Sequence, residues 1–212
     1  MLKRILGTGA AMAMACSAFG GTMVFTDRGA WEAAVGGPIV TEDFNSLGTQ
    51  SIADGQTLDT GLIQIKRDGS PNGADGALLI EPGSAFGNFD GTNFLDGETG
   101  AAPHERVDLS FGGANIVAFG ADWVSPFSGD GIGIEVGSDL ILLDSITGFN
   151  AGFVGFISDT DSFETISIVG NPANVTFQEL WSADNFSFVV PEPGTLSLLF
   201  VGAAALGARR RR

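Results

Sequence analysis

Cysteine, histidine and tyrosine are scarce in this chain, which has one Cys, one His and no Tyr among 212 residues. A single histidine, His104, cannot build a zinc site of several histidines. No Gly-x-Ser-x-Gly turn accompanies it, so nothing in the sequence indicates a Ser-His-Asp hydrolase. The single cysteine, Cys16, excludes an intramolecular disulfide, so stability must come from core packing or bound ions.

Basic residues are also scarce between residues 21 and 190. This region has 24 acidic residues against 4 basic ones (Arg28, Lys66, Arg67 and Arg106), a formal charge of −20. Such a charge repels phosphate groups and excludes nucleic acid and anionic lipid as partners of this region. It suits a protein that stays soluble outside the cell or one that holds divalent cations.

The other basic residues flank an apolar segment at each end of the chain. Lys3 and Arg4 precede the apolar residues 5–15, and Ala18-Phe19-Gly20 supplies small residues for cleavage after Gly20, with cleavage after Ala18 as the alternative. Residues 1–20 therefore predict a helical signal peptide, handled by the secretion translocon and signal peptidase. Cys16 lies within it, and the residues before Cys16 are a poor match to the Leu-rich box of lipidated cysteines.

The C-terminal segment, residues 191–212, has three parts in a fixed order. Pro191, Glu192 and Pro193 come first, and the prolines end the preceding strand because they lack an N–H donor. An uncharged apolar run, residues 196–208, follows and leads into an arginine cluster: Arg209, Arg210, Arg211 and Arg212. As a helix this run is about 20 Å long against about 30 Å of hydrocarbon, which predicts a marginal transmembrane helix with the arginines on the cytoplasmic side. A permanent tail anchor is the alternative.

This order of motif, apolar segment and arginine cluster resembles the PEP-CTERM sorting signal of Gram-negative bacteria that make exopolysaccharide. The resemblance implies that an exosortase recognises Pro191, Glu192 and Pro193, while the arginines retain the tail transiently in the inner membrane. The protein would then reach the cell surface or the biofilm matrix. Residues 25–44 are also similar to the N-terminal part of many PEP-CTERM proteins, where this part precedes a lectin-like sandwich.

Residues 21–190 have the pattern of one β domain. Short alternating apolar runs are separated by Gly, Asn and Asp, and no βαβ spacing occurs. We predict strands at residues 22–25, 39–44, 62–66, 77–80, 106–111, 116–123, 131–136, 140–143, 153–158, 163–169, 175–180 and 185–190. This pattern predicts an all-β fold, an antiparallel β-sandwich of jelly-roll type.

One short N-terminal helix interrupts the strands. Thr26 or Asp27 can cap it, residues 29–35 form its body, and a Gly-Gly-Pro sequence ends it. Trp31 and Val35 are four residues apart, so we expect both side chains to face the sandwich.

Calcium is the ligand that best suits the acidic loops. Asp68, Ser70 and Asn72 carry oxygen atoms at alternate positions before Gly73, as in the first half of an EF-hand loop, although Leu79 stands where an EF-hand has its bidentate Glu. We therefore predict an irregular calcium loop that uses Asp68, Asn72 and Asp75. A plain cluster of turn residues is the alternative. Residues 90–98 form a second acidic, Gly-rich segment with the same two interpretations.

Two further acids are calcium candidates by analogy. In lectin-like jelly rolls the first and last strands are commonly neighbours, and acids there often hold a structural calcium. Asp43 lies near the first strand of the predicted sandwich, and Asp184 lies near the last one. Calcium would then raise the melting temperature, because it would bind the folded state alone.

Sugar binding usually needs an exposed aromatic ring with polar groups beside it. Trp123 and Trp181 each lie near the end of a predicted strand, and either ring could stack on a pyranose while Asp122 or Asp184 binds hydroxyls. The alternative is that both rings belong to the core.

The leading hypothesis is a non-enzymatic exported protein of the cell surface or extracellular matrix, with exopolysaccharide as a candidate ligand. One alternative is a secreted carbohydrate-active hydrolase that uses a carboxylate pair, although no pair stands out among the 24 acids. The other is a calcium-stabilised structural matrix protein.

Overall fold

Two antiparallel β-sheets and one short helix make up the part of the chain that the structure describes. The computed structural model describes residues 17–19, 21–68, 78–82, 91–99, 106–124, 132–143, 151–159, 161–170 and 179–191. The strands are β1 (Ser17–Phe19), β2 (Thr22–Phe25), β3 (Val40–Glu42), β4 (Gln50–Ser51), β5 (Thr57–Asp59), β6 (Gln64–Asp68), β7 (Leu78–Glu81), β8 (Phe94–Thr99), β9 (Arg106–Ser110), β10 (Ala118–Val124), β11 (Ile132–Val136), β12 (Asp139–Leu142), β13 (Ala151–Ser158), β14 (Thr165–Gly170) and β15 (Glu179–Val189). Helix α1 (Arg28–Val35) lies between β2 and β3.

The larger sheet has nine strands and the smaller has six. The larger has the order β1-β2-β13-β10-β15-β8-β7-β4, with β3 also paired to β15, and the smaller has the order β12-β11-β14-β9-β6-β5. The prediction of an antiparallel, β-rich fold is confirmed, while the jelly-roll connectivity stays a prediction.

The inner faces of the two sheets share one hydrophobic core. Phe119, Trp123 and Phe186 from the nine-stranded sheet belong to the same buried cluster as Leu109 and Ile168 from the six-stranded sheet. Burial follows the expected alternation in β9, where Val107 and Leu109 are buried between half-buried neighbours. A sheet that is apolar on one face must cover it, and here each sheet covers the other.

Helix α1 begins and ends as its sequence predicts. Asp27 is the N-cap, and its Oδ1 accepts a hydrogen bond from the backbone N–H of Ala30 at 2.7 Å. Gly36, the C-cap, has a φ of 67°, a left-handed conformation that glycine adopts without strain. Trp31 is fully buried and Val35 packs against the same cluster, so the prediction that both face the sandwich is confirmed.

Most of the predicted strands are confirmed, but the prediction is wrong at β8. Residues 94–99 form a central strand between β7 and β15, whereas the sequence placed most of them in an acidic loop. The short strands β4 and β5 were also missed. Two separate strands were predicted at residues 175–180 and 185–190, but residues 179–189 form one long strand, β15.

Both predicted membrane helices lie outside the described residues, apart from the end of the first. Residues 17–19, at the end of the predicted signal peptide, form strand β1. Within the described part of the chain, every helix is too short or too polar to cross a membrane.

Candidate functional site: the sorting segment and the polar patch

The sorting segment begins where the fold ends. Val189 is the last residue of β15, its carbonyl oxygen accepts a hydrogen bond from Val117 N–H at 3.0 Å, and Val190 packs against the core. Pro191 comes next and is exposed. Because proline has no N–H, it cannot extend the ladder, so the strand stops at the motif. Glu192, Pro193 and the four arginines, Arg209, Arg210, Arg211 and Arg212, lie outside the described residues.

The strand that carries the motif is central in its sheet. Strand β15 pairs with β10 along one side and with β8 and β3 along the other. A pull on the tail therefore acts on the strand with the most neighbours. The folded domain also reaches Val190 without an intervening linker.

A polar patch lies on the outer face of the same sheet, and we define it by Arg28, Thr41, Asp122, Asn185 and Ser187. Arg28 Nη2 is 3.0 Å from Asp122 Oδ2, and Arg28 Nη1 donates to Ser187 Oγ at 3.0 Å. Asn185 Nδ2 also donates to Asp122 Oδ2 at 3.0 Å, and the Thr41 and Ser187 hydroxyls are 3.0 Å apart. The patch thus gathers a guanidinium, a carboxylate, an amide and two hydroxyls.

A β-bulge creates this arrangement. The pairing of β10 with β15 shifts between Gly120 and Asp122, so β15 has one extra residue there. Asn185 lies at the shift and has a φ of 53°, in the left-handed region that Asn tolerates better than most residues. Bulges redirect side chains, which explains how Asn185 reaches Asp122.

Helix α1 holds the cationic member of the patch in place. The Arg28 guanidinium carbon lies 4.5 Å from the centre of the Phe153 ring, a cation–π contact. Arg28 and Asp122 side chains are each 28% exposed, so their ion pair is accessible to solvent and adds little stability.

Trp123 and Trp181 are core residues, which corrects the prediction of a sugar-stacking platform. Both are 0% exposed, and their ring centres are 6.0 Å apart inside the main core. Trp181 also lies within β15 rather than after a strand. Inward-facing positions of a sandwich strand are buried by the opposite sheet, so neither ring has a face open to a pyranose.

The two acids proposed by analogy differ in their exposure. Asp43 is exposed and its Oδ1 accepts from Asn45 N–H at 3.1 Å, while Asp184 is 2% exposed and accepts from Asn185 N–H at 2.6 Å. Asp68 ends β6, and Asn72 and Asp75 lie outside the described residues. Strand β3, which ends just before Asp43, pairs with β15, which contains Asp184.

Among the described residues, no group of three or more His, Cys, Asp or Glu side chains is arranged to hold a metal ion. The calcium sites therefore stay predictions.

The sequence missed an acidic pair on the nine-stranded sheet, Glu81 and Asp96. Burial raises the pKa of Glu81, and the negative charge of Asp96 and a hydrogen bond to its carboxyl raise it further. Ser182 Oγ donates to Asp96 Oδ1 at 2.7 Å. The pair forms because Asp96 lies in β8 beside β7, so it could not be predicted when residues 94–99 were assigned to a loop.

The six-stranded sheet has a matching ion network on its own surface. Arg106 Nε lies 2.7 Å from Asp108 Oδ1, and Arg106 Nη2 lies 3.4 Å from Glu135 Oε2. Burial lowers the pKa of Arg106, but the hydrogen bond to Asp108 and the nearby carboxylates outweigh it and raise that pKa above its ordinary value. Ser167 Oγ donates to Asp108 Oδ1 at 2.6 Å, which completes the network.

Comparison with known proteins identifies the C-terminal segment. No curated protein matches the chain in sequence. Residues 189–212 match the family described as the PEP-CTERM protein-sorting motif, starting at the last residue of β15. The chain therefore carries a PEP-CTERM sorting motif, which marks an exported, sorted protein that is processed by exosortase.

Proposed function

We propose that this is a surface or extracellular-matrix protein whose β domain is delivered by a disposable tail. A signal peptide takes the chain through the translocon, and the apolar tail with its arginine cluster holds it transiently in the inner membrane. Exosortase then acts at Pro191–Pro193 and releases the domain outward. The observation that carries the proposal is the match of residues 189–212 to the sorting motif directly after the last strand.

Release at this point leaves the folded domain whole. The last contacts of the described chain are made by Val189 and Val190, before the motif. Pro191 is exposed, so a protease reaches it without unfolding β15. The domain should therefore keep its stability after the tail is removed.

Mass spectrometry of the C-terminal peptide, from membranes, cell surface and medium, tests the proposal. We expect full-length chain in the membrane and shortened chain outside. The double variant Glu192→Ala with Pro193→Ala should accumulate at full length in the membrane, while the control Pro38→Ala, an exposed proline outside the motif, should be processed normally. Full-length chain in the medium, ending in Arg212, would contradict the proposal.

We further propose that the released domain contacts exopolysaccharide through the polar patch. Sugar sites combine a few fixed polar groups, and the patch offers an acid, an amide, a guanidinium and hydroxyls at a partly exposed surface. Co-sedimentation with purified exopolysaccharide tests it. Asp122→Asn should abolish binding, and Asp108→Asn, which breaks the comparable ion pair on the other sheet, should not. Equal binding by both variants would remove the patch from the function.

A carbohydrate-active hydrolase is the second candidate because Glu81 and Asp96 form a carboxylate pair with a raised pKa at Glu81. Retaining enzymes separate their two carboxyl groups by about 5 Å and inverting enzymes by more. Hydrolysis of the exopolysaccharide by the protein, lost in Glu81→Gln, would favour the enzyme over the binding protein.

A calcium-stabilised matrix protein is the third candidate. Calcium at about 100 times its dissociation constant would add about 2.7 kcal/mol to the free energy of unfolding if it bound the folded state alone. Melting curves in calcium and in chelator measure this directly. Identical curves would dispose of the calcium sites at Asp43, Asp184 and the loop beginning at Asp68.

A further inference from the structure

Strand β1 lies inside the segment that the sequence assigns to the signal peptide. It pairs antiparallel with β2, with Ser17 opposite Val24 and Phe19 opposite Thr22. Only Gly20 and Gly21 join the two strands, and Gly21 has a φ of 111°, which side-chain-bearing residues rarely adopt. A Gly-Gly pair between two strands is a favoured two-residue hairpin loop. Strands β1 and β2 therefore form a hairpin at one edge of the nine-stranded sheet.

Cleavage after Gly20 would cut this hairpin at its loop and remove β1. Strand β2 would then become the edge of the sheet, with the sequence Thr-Met-Val-Phe and no charge or proline. Uncharged, unpaired edges recruit strands from other chains, and natural proteins protect edges with charges, prolines or very short strands. Strand β1, with three residues, is the shorter edge of the two, since β2 has four.

A second pair of small residues precedes β1 and offers another cleavage site. Ala13-Met14-Ala15 places alanine at the minus-three and minus-one positions of a bond after Ala15. The apolar residues before it, 5–12, are enough for the hydrophobic part of a signal peptide, which needs about 7–15 residues. Only Cys16 would then precede β1.

We propose that signal peptidase cleaves after Ala15, so that the exported protein begins at Cys16 and keeps the β1–β2 hairpin. The proposal rests on the export step of the proposed function, but it does not depend on the sorting tail or on any ligand.

The two cleavage positions differ in a property that is easy to measure. Cys16 is the only cysteine in the chain, so cleavage after Ala15 leaves one thiol per molecule, and cleavage after Ala18 or Gly20 leaves none. A single cysteine in an exported protein can pair between chains, so the sample is reduced before the thiol is measured.

The experiment expresses the full chain in a Gram-negative host and isolates the exported form. We expect its N-terminal peptide, read by mass spectrometry, to begin at Cys16, and a maleimide to label one thiol per chain after reduction. Ala15→Gln should block this cleavage because signal peptidase needs a small residue before the cut, while Ala18→Gln should leave it unchanged.

An exported chain that begins at Phe19 or Gly21 and takes up no maleimide would overturn the proposal. An N-terminal Cys16 carrying the mass of a lipid would overturn the choice of signal peptidase. A chain that keeps Lys3 and Arg4 in every fraction would contradict export itself, so a failure of the export step is distinguishable from a failure of this cleavage site. The wild-type peptide alone decides among these outcomes, even if a variant folds poorly.

Discussion

Strand β10 of the nine-stranded sheet and strand β9 of the six-stranded sheet differ in how many of their faces are buried. In the nine-stranded sheet both faces of β10 are buried, so that Ala118, Phe119, Gly120 and Ala121 are buried one after another. In the six-stranded sheet β9 has one buried face and a half-buried polar one. The unbroken buried stretch of β10 indicates a second layer over its outer face.

Helix α1 supplies part of that second layer. Trp31 is fully buried on the outer face, its Nε1 donates to the carbonyl oxygen of Phe156 at 3.1 Å, and its ring centre lies 5.6 Å from that of Phe153. The strand below has glycine at this contact, where a Cβ on Gly155 would lie 2.7 Å from Phe153 Cζ and 3.0 Å from Trp31 Cδ1. The missing side chain lets the helix lie directly on the sheet.

Removing the aromatic centre of the shared core should have the largest effect. The Phe186 ring packs on Phe44, Phe119 and Trp123 with centre distances of 5.1, 5.5 and 6.2 Å. We expect Phe186→Ala to lower the free energy of unfolding by about 3–5 kcal/mol, measured by chemical denaturation. The control Leu62→Ala, at a side chain 42% exposed, should change it by less than about 0.5 kcal/mol. Similar effects for the two would contradict the assigned core.

A glycine-to-alanine substitution in each sheet adds one methyl group and tests whether the outer face of β10 is covered. A Cβ on Gly120 would lie 2.4 Å from Phe153 Cζ and 3.2 Å from the Gly155 backbone, while a Cβ on Gly133 meets the flexible ends of two leucines. We expect Gly120→Ala to cost about 1–3 kcal/mol by overpacking and Gly133→Ala to cost less. Denaturation midpoints compare the two variants. A larger loss at Gly133 would reverse the comparison.

Removing the helix cap should loosen the second layer by a smaller amount. Asp27→Ala leaves the Ala30 N–H without its carboxylate partner, and such caps contribute about 1 kcal/mol. Asp27→Asn keeps an accepting oxygen and should stay close to the wild type. Hydrogen exchange of the α1 amides measures the local effect. If the alanine variant exchanges no faster than the asparagine variant, the cap does not hold the helix.

The smallest effect is expected at the outer acidic pair and depends on pH. An acid with a raised pKa in the folded state stabilises the fold when it is protonated. The contribution of Glu81 is therefore complete below its ordinary value of 4.5 and is lost as pH rises through the folded value. We expect Glu81→Gln to make the melting temperature fall less between pH 4 and pH 7 than it does in the wild type.

A control for this last prediction is Glu32→Gln, at an exposed position of α1, which should follow the wild-type profile. If the melting temperature of the Glu81 variant fell with pH as steeply as that of the wild type, Glu81 would not be the group responsible for the pH dependence.

Much of the fold and the sorting site could be predicted because their signals are local. Asp27, Gly36 and the alternating Val107 and Leu109 act through neighbours within a few residues, so the helix and the regular strands appear in the sequence. The predictions failed where the signal is long-range. Strand β8 contains the polar run Asp96-Gly97-Glu98, and it becomes a strand because β7 and β15 pair with it on both sides.

The sequence by itself determined the sorting tail, the antiparallel β class and the capped helix, because short motifs and periodic patterns encode them. Only the tertiary structure decided that Trp123 and Trp181 are core residues and that Asp122 joins Arg28 and Asn185 in one patch. Burial and long-range pairing arise when two sheets close on each other, and no local pattern records which face of a strand the other sheet covers.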